Sequence, residues 1–205
     1  MAEYSGFFNG DEEYGQEEFN RYFDNIYESG VSINSDNTMS LNVTASGMNI
    51  LVGAGFAIVK GFYLYNDNTK TIMETADINY NRIDRVVLRL NLSTNKISIE
   101  LKKGTPASDP LAPVLQRDNI VHELSLAQIL VSKNNTLKVK DERYIPHVCG
   151  AIRPKNLSEF NTMIIGLQEK FNEWFNKLQV PARNVYLQNG QPADIKEGDI
   201  WIQTT

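Results

Sequence analysis

His122, His147 and Cys149 are the side chains that could most readily do chemistry, and the chain has no other histidine or cysteine. His147 and Cys149 stand two apart, so on a strand they would share one face. A metal site needs three or four ligands at defined spacing, and neither C-x-x-C nor H-E-x-x-H occurs. The pair therefore reads as a buried thiol beside a structural histidine. A Cys149–His122 nucleophile and base would need the fold to bring the two together, and nothing in the spacing does so. The carboxylate pairs Glu12/Glu13 and Asp141/Glu142 would serve glycoside hydrolysis only by converging across a cleft. Gly53-Ala-Gly55 with Gly61 mimics part of a dinucleotide-binding fingerprint, but the third glycine is misplaced and no helical pattern follows; close strand packing or a bulge explains it. The turn Asn66-Asp-Asn68 is too poor in carboxylates for a calcium loop. The expectation is a protein that is not an enzyme, with no catalytic, cofactor or metal residue.

Opposite charges recur near the ends of two predicted strands: Arg82, Asp84 and Arg85 on one, Asp141 and Arg143 on the other. They are candidates for an ion-pair lattice that joins the sheets or faces an adjacent subunit, with isolated surface pairs as the alternative.

The elements that would position these groups are legible in the periodicity. Residues 16–28 place Phe19, Tyr22, Phe23, Ile26 and Tyr27 on one helical stripe, with Gly30 as a stop. From 31 to about 150, short β-like runs alternate with turn residues at about ten-residue spacing, as in an antiparallel sandwich. The clearest is the hairpin 85–101, where Val86, Leu88, Leu90 and Leu92 alternate with Val87, Arg89 and Asn91, one face inside and the other wet. Residues 123–131 fit a short helix or a strand edge. After Pro154, Leu157, Phe160, Ile164, Leu167, Phe171, Trp174 and Leu178 follow at steps of 3 and 4, a three-heptad coiled-coil seam that ends at Val180-Pro181. Large apolar residues at both seam positions, with no polar one, lean toward three strands. The last 25 residues read as strand, turn and strand, too short to bury a core of their own. The fold class is thus mainly β with helices (α+β). An N-terminal helix and β-sandwich occupy 1–153, a trimerising coiled-coil helix 154–180, and a short C-terminal β hairpin 181–205.

Composition narrows the function further. Of 205 residues, 20 are Lys or Arg and 25 Asp or Glu, giving a net charge of −5. The first 30 residues hold eight acidic side chains against Arg21 alone, so the remainder is nearly neutral. Without a basic stripe, binding to a phosphate backbone is not expected. The longest apolar run, 50–59, is half of what a transmembrane helix needs, so no membrane insertion is expected. No secretory leader is evident, which points to synthesis in a cytoplasm and removes meaning from the sequons at Asn42, Asn91, Asn134 and Asn156. The acidic end reads as a solvated helix face or as a docking element for a basic partner.

The order of several short motifs is more specific than any one of them. Tyr4-Ser-Gly-Phe-Phe-Asn9 opens the chain, and an aromatic helix ends in Ser29-Gly-Val31. Ile50-Leu-Val-Gly-Ala-Gly-Phe-Ala57 precedes Gly61-Phe-Tyr-Leu-Tyr65; then come Asn81-Arg-Ile-Asp-Arg-Val-Val-Leu-Arg-Leu90, Asp141-Glu-Arg-Tyr144 and Cys149-Gly150. This order, over about residues 1–150, resembles the N-terminal region of baseplate and tail-tip proteins of phages and prophages of Gram-positive bacteria, a group that includes upper baseplate proteins and receptor-binding fibres. The resemblance implies a virion tail protein, assembled in the host cytoplasm. Its N-terminal domain would dock on other tail or baseplate proteins, with Phe7, Phe8, Phe19, Tyr22 and Phe23 as candidate docking residues, and its helix would make a homotrimer. Many such proteins continue well past the helix, so a role as an adaptor stands beside one in receptor recognition. The alternative function is a carbohydrate-binding module for a host cell-wall saccharide, stacking sugars on Tyr63, Tyr65, Tyr80, Tyr144 or Trp201.

Overall fold

The structure is a computed structural model that describes residues 13–155, 158–178 and 184–204. The chain divides into two compact units, Met1–Asn156 and Leu157–Thr205.

In the first unit, helix α1 (Gln16–Ile26) carries the aromatic stripe but buries no residue fully. It ends earlier than the apolar pattern. Tyr27 turns extended and bridges Pro154, and Gly30 opens the two-residue strand β1 (Gly30–Val31) instead of stopping the helix. Strands β2 (Val43–Ser46), β3 (Asn49–Val52) and β6 (Lys70–Met73) form one antiparallel sheet; β1, β4 (Gly55–Val59) and β5 (Phe62–Asn66) form a second. The apolar run 50–59 is therefore two strands broken at 53–54. Gly55 lies where a Cβ would sit 2.6 Å from that of Ser40, so close backbone packing accounts for the glycines.

The third sheet has the order β10-β9-β7-β8, from β7 (Arg82–Asn91), β8 (Lys96–Lys102), β9 (Val121–Ser132) and β10 (Thr136–Asp141). The hairpin expected at 85–101 is β7 with β8, pairing Arg85 with Lys102 through Asn91 with Lys96. Residues 123–131, open between helix and strand, belong to β9, a long strand paired on both sides. Its register on β7 jumps: Val86 faces Ala127 and Val87 faces Ser125, leaving Leu126 as an extra residue. This bulge lets Leu124 and Leu126 on one side of it, and Ala127, Ile129 and Val131 on the other, all enter the core. There they meet Val86, Leu88 and Leu90 of β7 and Val31, Ile50, Val52, Ala57 and Val59 of the two smaller sheets.

The second unit holds α2 (Ser158–Leu178) and a pair of short strands, β11 (Val185–Leu187) and β12 (Ile200–Ile202). The pair is parallel, Val185 opposite Ile200 and Leu187 opposite Ile202, and not the expected hairpin. The twelve residues between the strands carry the chain back to the starting end, which a tight turn could not do.

Candidate functional site

The second face of the β7–β8 hairpin is wet only in part: Lys96 and Glu100 are exposed, while Arg89 and Lys102 reach a buried carboxylate. Residues 103–120 and the segment after β10 cover part of it, and its charges are paired. Arg89 lies directly opposite Glu123 across β7 and β9 and donates to Glu123 Oε1. Lys102 Nζ at 2.8 Å and the Gln116 N–H at 2.6 Å both donate to Oε2. Glu123 is fully buried. Burial alone would raise its pKa, yet the Gln116 N–H, Lys102 and Arg89 together hold the carboxyl below its ordinary value. Glu142, also buried, accepts from the Ser125 hydroxyl at 2.5 Å and from the Gln128 amide, and lies 3.5 Å from Arg85.

The five residues proposed as a lattice are thus divided among three clusters, each completed by groups outside those five. At the start of β7, Arg82 Nε donates to Asp84 at 3.0 Å and its other end meets buried Glu74 at 2.6 Å. Lys103 caps Glu74 at 2.8 Å, and the Gly104 N–H donates to Asp84 at 2.8 Å. Burial pushes the Glu74 carboxyl up, but Lys103, the Thr75 N–H and Arg82 more than offset it. Arg85 stands apart, against Glu142. Asp141 and Arg143 pair at 2.7 Å, and the Arg143 guanidinium also donates to the carbonyls of Met39 and Ser40, joining the end of β10 to the segment before β2. These pairs hold sheet to loop within one chain.

Burial pushes the Cys149 thiol up to about 12, so no thiolate nucleophile is at hand near neutral pH. His147 and Cys149 lie in a turn-rich segment, not on a strand. Arg117 donates to the carbonyls of His147 and Val148 at 2.7 and 3.0 Å, fixing that segment. Half-burial and then the charges of Arg117 and Lys60 lower the pKa of His122. Among the described residues no group of three or more His, Cys, Asp or Glu is placed to hold a metal ion.

What remains is surface. On α2, Ile164, Leu167, Phe171 and Trp174 are all exposed, Leu167 by 66% and Trp174 by 55%, and Met163, Ile165 and Phe175 widen the apolar band. Phe171 lies 5.7 Å from Trp174 and 6.1 Å from Phe175, ring centre to ring centre. Leu157, and the side chains of Phe160 and Leu178, fall outside the described residues. On α1, Phe19, Tyr22 and Phe23 are exposed at 39–48%, and Tyr22 meets Phe23 edge-on; Phe7 and Phe8 lie outside the described residues. Lys155 ties the end of α1 by donating to the Asp24 carbonyl, and Arg153 pairs with Glu28 at 2.7 Å. Of the aromatic candidates for sugar stacking, Tyr63 and Tyr65 point outward from β5, and Phe56 stacks on Tyr63 at 5.9 Å. Tyr80 and Tyr144 are exposed on other segments, while the Trp201 indole N–H donates to the Gln188 carbonyl.

The geometry defines a mainly β protein of the α+β class whose charged clusters serve its framework and whose apolar side chains crowd two helix surfaces. No protein-family model and no curated protein matches the chain. Among solved structures it is similar to the gene 22 product of the Bacillus subtilis SPP1 phage, at 18% identity and a TM-score of 0.35, covering 51% of this chain and 85% of that one.

Proposed function

We propose that this chain is a structural, non-enzymatic component of a phage or phage-like tail baseplate or fibre, docking to other tail proteins through its N-terminal unit and trimerising through α2. The observation that carries the reading is the row of large apolar side chains exposed along 163–175. Fully burying one such side chain is worth about 1.5–3 kcal/mol, and their heptad spacing suits neighbouring copies of the same helix. The ordered motifs of residues 4–150 support the tail assignment by resemblance. Sedimentation at micromolar concentration is the test. The native chain should run as a trimer and the Leu167→Asp variant as a monomer; a monomer in both cases would sink the self-assembly.

A second reading, a saccharide-binding module, is favoured by one observation: Tyr63 and Tyr65 are exposed by 67% and 69% on one edge strand, one of them backed by Phe56. Stacking platforms of this kind bind sugar faces. A pull-down on purified Gram-positive cell wall that retains the native chain but not Tyr63→Ala/Tyr65→Ala would support it, and no retention would remove it.

A further inference from the structure

In the second unit, the strand pair β11–β12 has two unlike faces. Side chains alternate along each strand, so Tyr186 and Trp201 share one face, where both are half-buried. The chain around the pair is tied by its own polar contacts: the Trp201 indole N–H donates to the Gln188 carbonyl at 3.0 Å, and the Asp199 carboxylate accepts from the Asn184 and Lys196 N–H groups at 3.0 and 2.9 Å. The opposite face holds Val185, Leu187, Ile200 and Ile202. Val185 stands directly across from Ile200 and Leu187 across from Ile202, so the four form one aliphatic block, and all four are exposed. An isolated two-stranded sheet is marginal in water, and this one turns its aliphatic face outward.

The block has no ring to stack on a sugar and no charged or hydrogen-bonding side chain, so the surface that matches it is another aliphatic one. Helix α2 of the same chain is not that cover, because its own apolar band is exposed as well. Leu178 at the end of α2 and Val185 at the start of β11 are seven apart in sequence. At about 3.3–3.6 Å per residue, no more than roughly 25 Å separates them. Parallel α2 helices therefore bring their blocks to one end, at millimolar effective concentration, whereas antiparallel helices carry them to opposite ends. The flanks of the seam favour the parallel arrangement. With Ile164 and Phe171 at a and Leu167 and Trp174 at d, Lys170 falls at g, and Gln168 and Phe175 fall at e. Parallel neighbours set g against e; antiparallel ones set g against g, lysine against lysine. We propose that the Val185, Leu187, Ile200 and Ile202 blocks of three copies close on one another as an apolar cap, continuous with a parallel α2 bundle. The inference rests on the α2 trimer proposed above and adds to it a direction and a second contact surface.

The test uses the full chain carrying Ile202→Cys, with Cys149 buried and out of reach, treated with a short bismaleimide at low micromolar concentration. With one accessible thiol per chain, every covalent dimer on a denaturing gel joins two copies. Such dimers should form, and should vanish when Leu167→Asp is added. In parallel, Leu187→Lys/Ile202→Lys should raise the concentration at which the trimer half-dissociates in sedimentation by about tenfold or more, while amide exchange in β7 and β9 stays unchanged. A trimer that yields no covalent dimer, or that half-dissociates at the same concentration in the double variant, overturns the cap and leaves the α2 seam standing. A native chain that runs as a monomer overturns both.

Discussion

Replacing Glu123 by Gln tests the charged face most directly. All three groups that touch its carboxylate are donors: Arg89, Lys102 and the Gln116 N–H. An amide keeps the volume but turns one oxygen into a donor aimed at donors, and removes the charge that two cations face. Removing one partner from a buried ion pair costs about 3–5 kcal/mol. Arg89 and Lys102 keep 24% and 30% of their side-chain surface in water, so we place Glu123→Gln lower, at about 2–3 kcal/mol. For a unit of this size that is a fall of roughly 5–10 °C in melting temperature. The control is Glu100→Gln: Glu100 is half exposed and 3.9 Å from Arg89, so its loss should stay within about 0.5 kcal/mol. Far-UV circular dichroism should follow the melt, because both tryptophans, Trp174 and Trp201, lie in the other unit. The same variant should flatten the acid response. The folded carboxyl titrates below its ordinary 4.5, so its contribution is fully present above that pH and is lost as the pH falls through the folded value. Glu123→Gln melting within a degree or two of the parent, or no further down than Glu100→Gln, would refute the reasoning.

Two further outcomes follow from the same geometry. Gly61 has a φ of +79°, and a Cβ there would collide with the main-chain oxygen of Asn20 in α1; Gly61→Ala should cost about 1–3 kcal/mol and shift the α1 amides most, as read by chemical-shift mapping. Cys149, its thiol raised to about 12 and buried, should resist alkylation at pH 8 in the native chain and react at once in denaturant; rapid native labelling would contradict its placement.

The sequence was most informative where one period holds over a whole element. The β7–β8 hairpin alternates cleanly because nothing interrupts its pleat, and α1 and α2 repeat at helical spacing. β9 was ambiguous for a physical reason: the bulge at Leu126 puts Leu124, Leu126, Ala127, Ile129 and Val131 on one side, a mixture of steps that fits neither period alone. The charged clusters were half visible. Arg85 stood out as a charge near a strand end, while Arg89 read as part of a wet face, and their partners Glu142 and Glu123 stand 57 and 34 residues away. Arg89 and Glu123 become neighbours only once β9 returns beside β7. A carboxylate such as Glu123, at the head of the apolar stretch 124–131, is the one local sign that a cation waits across the strand. The parallel pairing of β11 and β12 left no trace, since both strands read the same in either direction.

Leu126 acts on β9 as a frame-shift acts on a message. On one side of it the odd-numbered residues Glu123 and Ser125 face the polar layer; on the other, odd-numbered Ala127, Ile129 and Val131 face the core. Deleting that single leucine would bring Ser125 and Ala127 together opposite Val87 and Val86, closing the ladder into an unbroken alternation in which Gln128 and Ile129 keep the faces they have now. Replacing Leu126 with another apolar residue is a question of packing volume, whereas removing it takes away the bulge and one core side chain together while every later residue keeps its partner on β7.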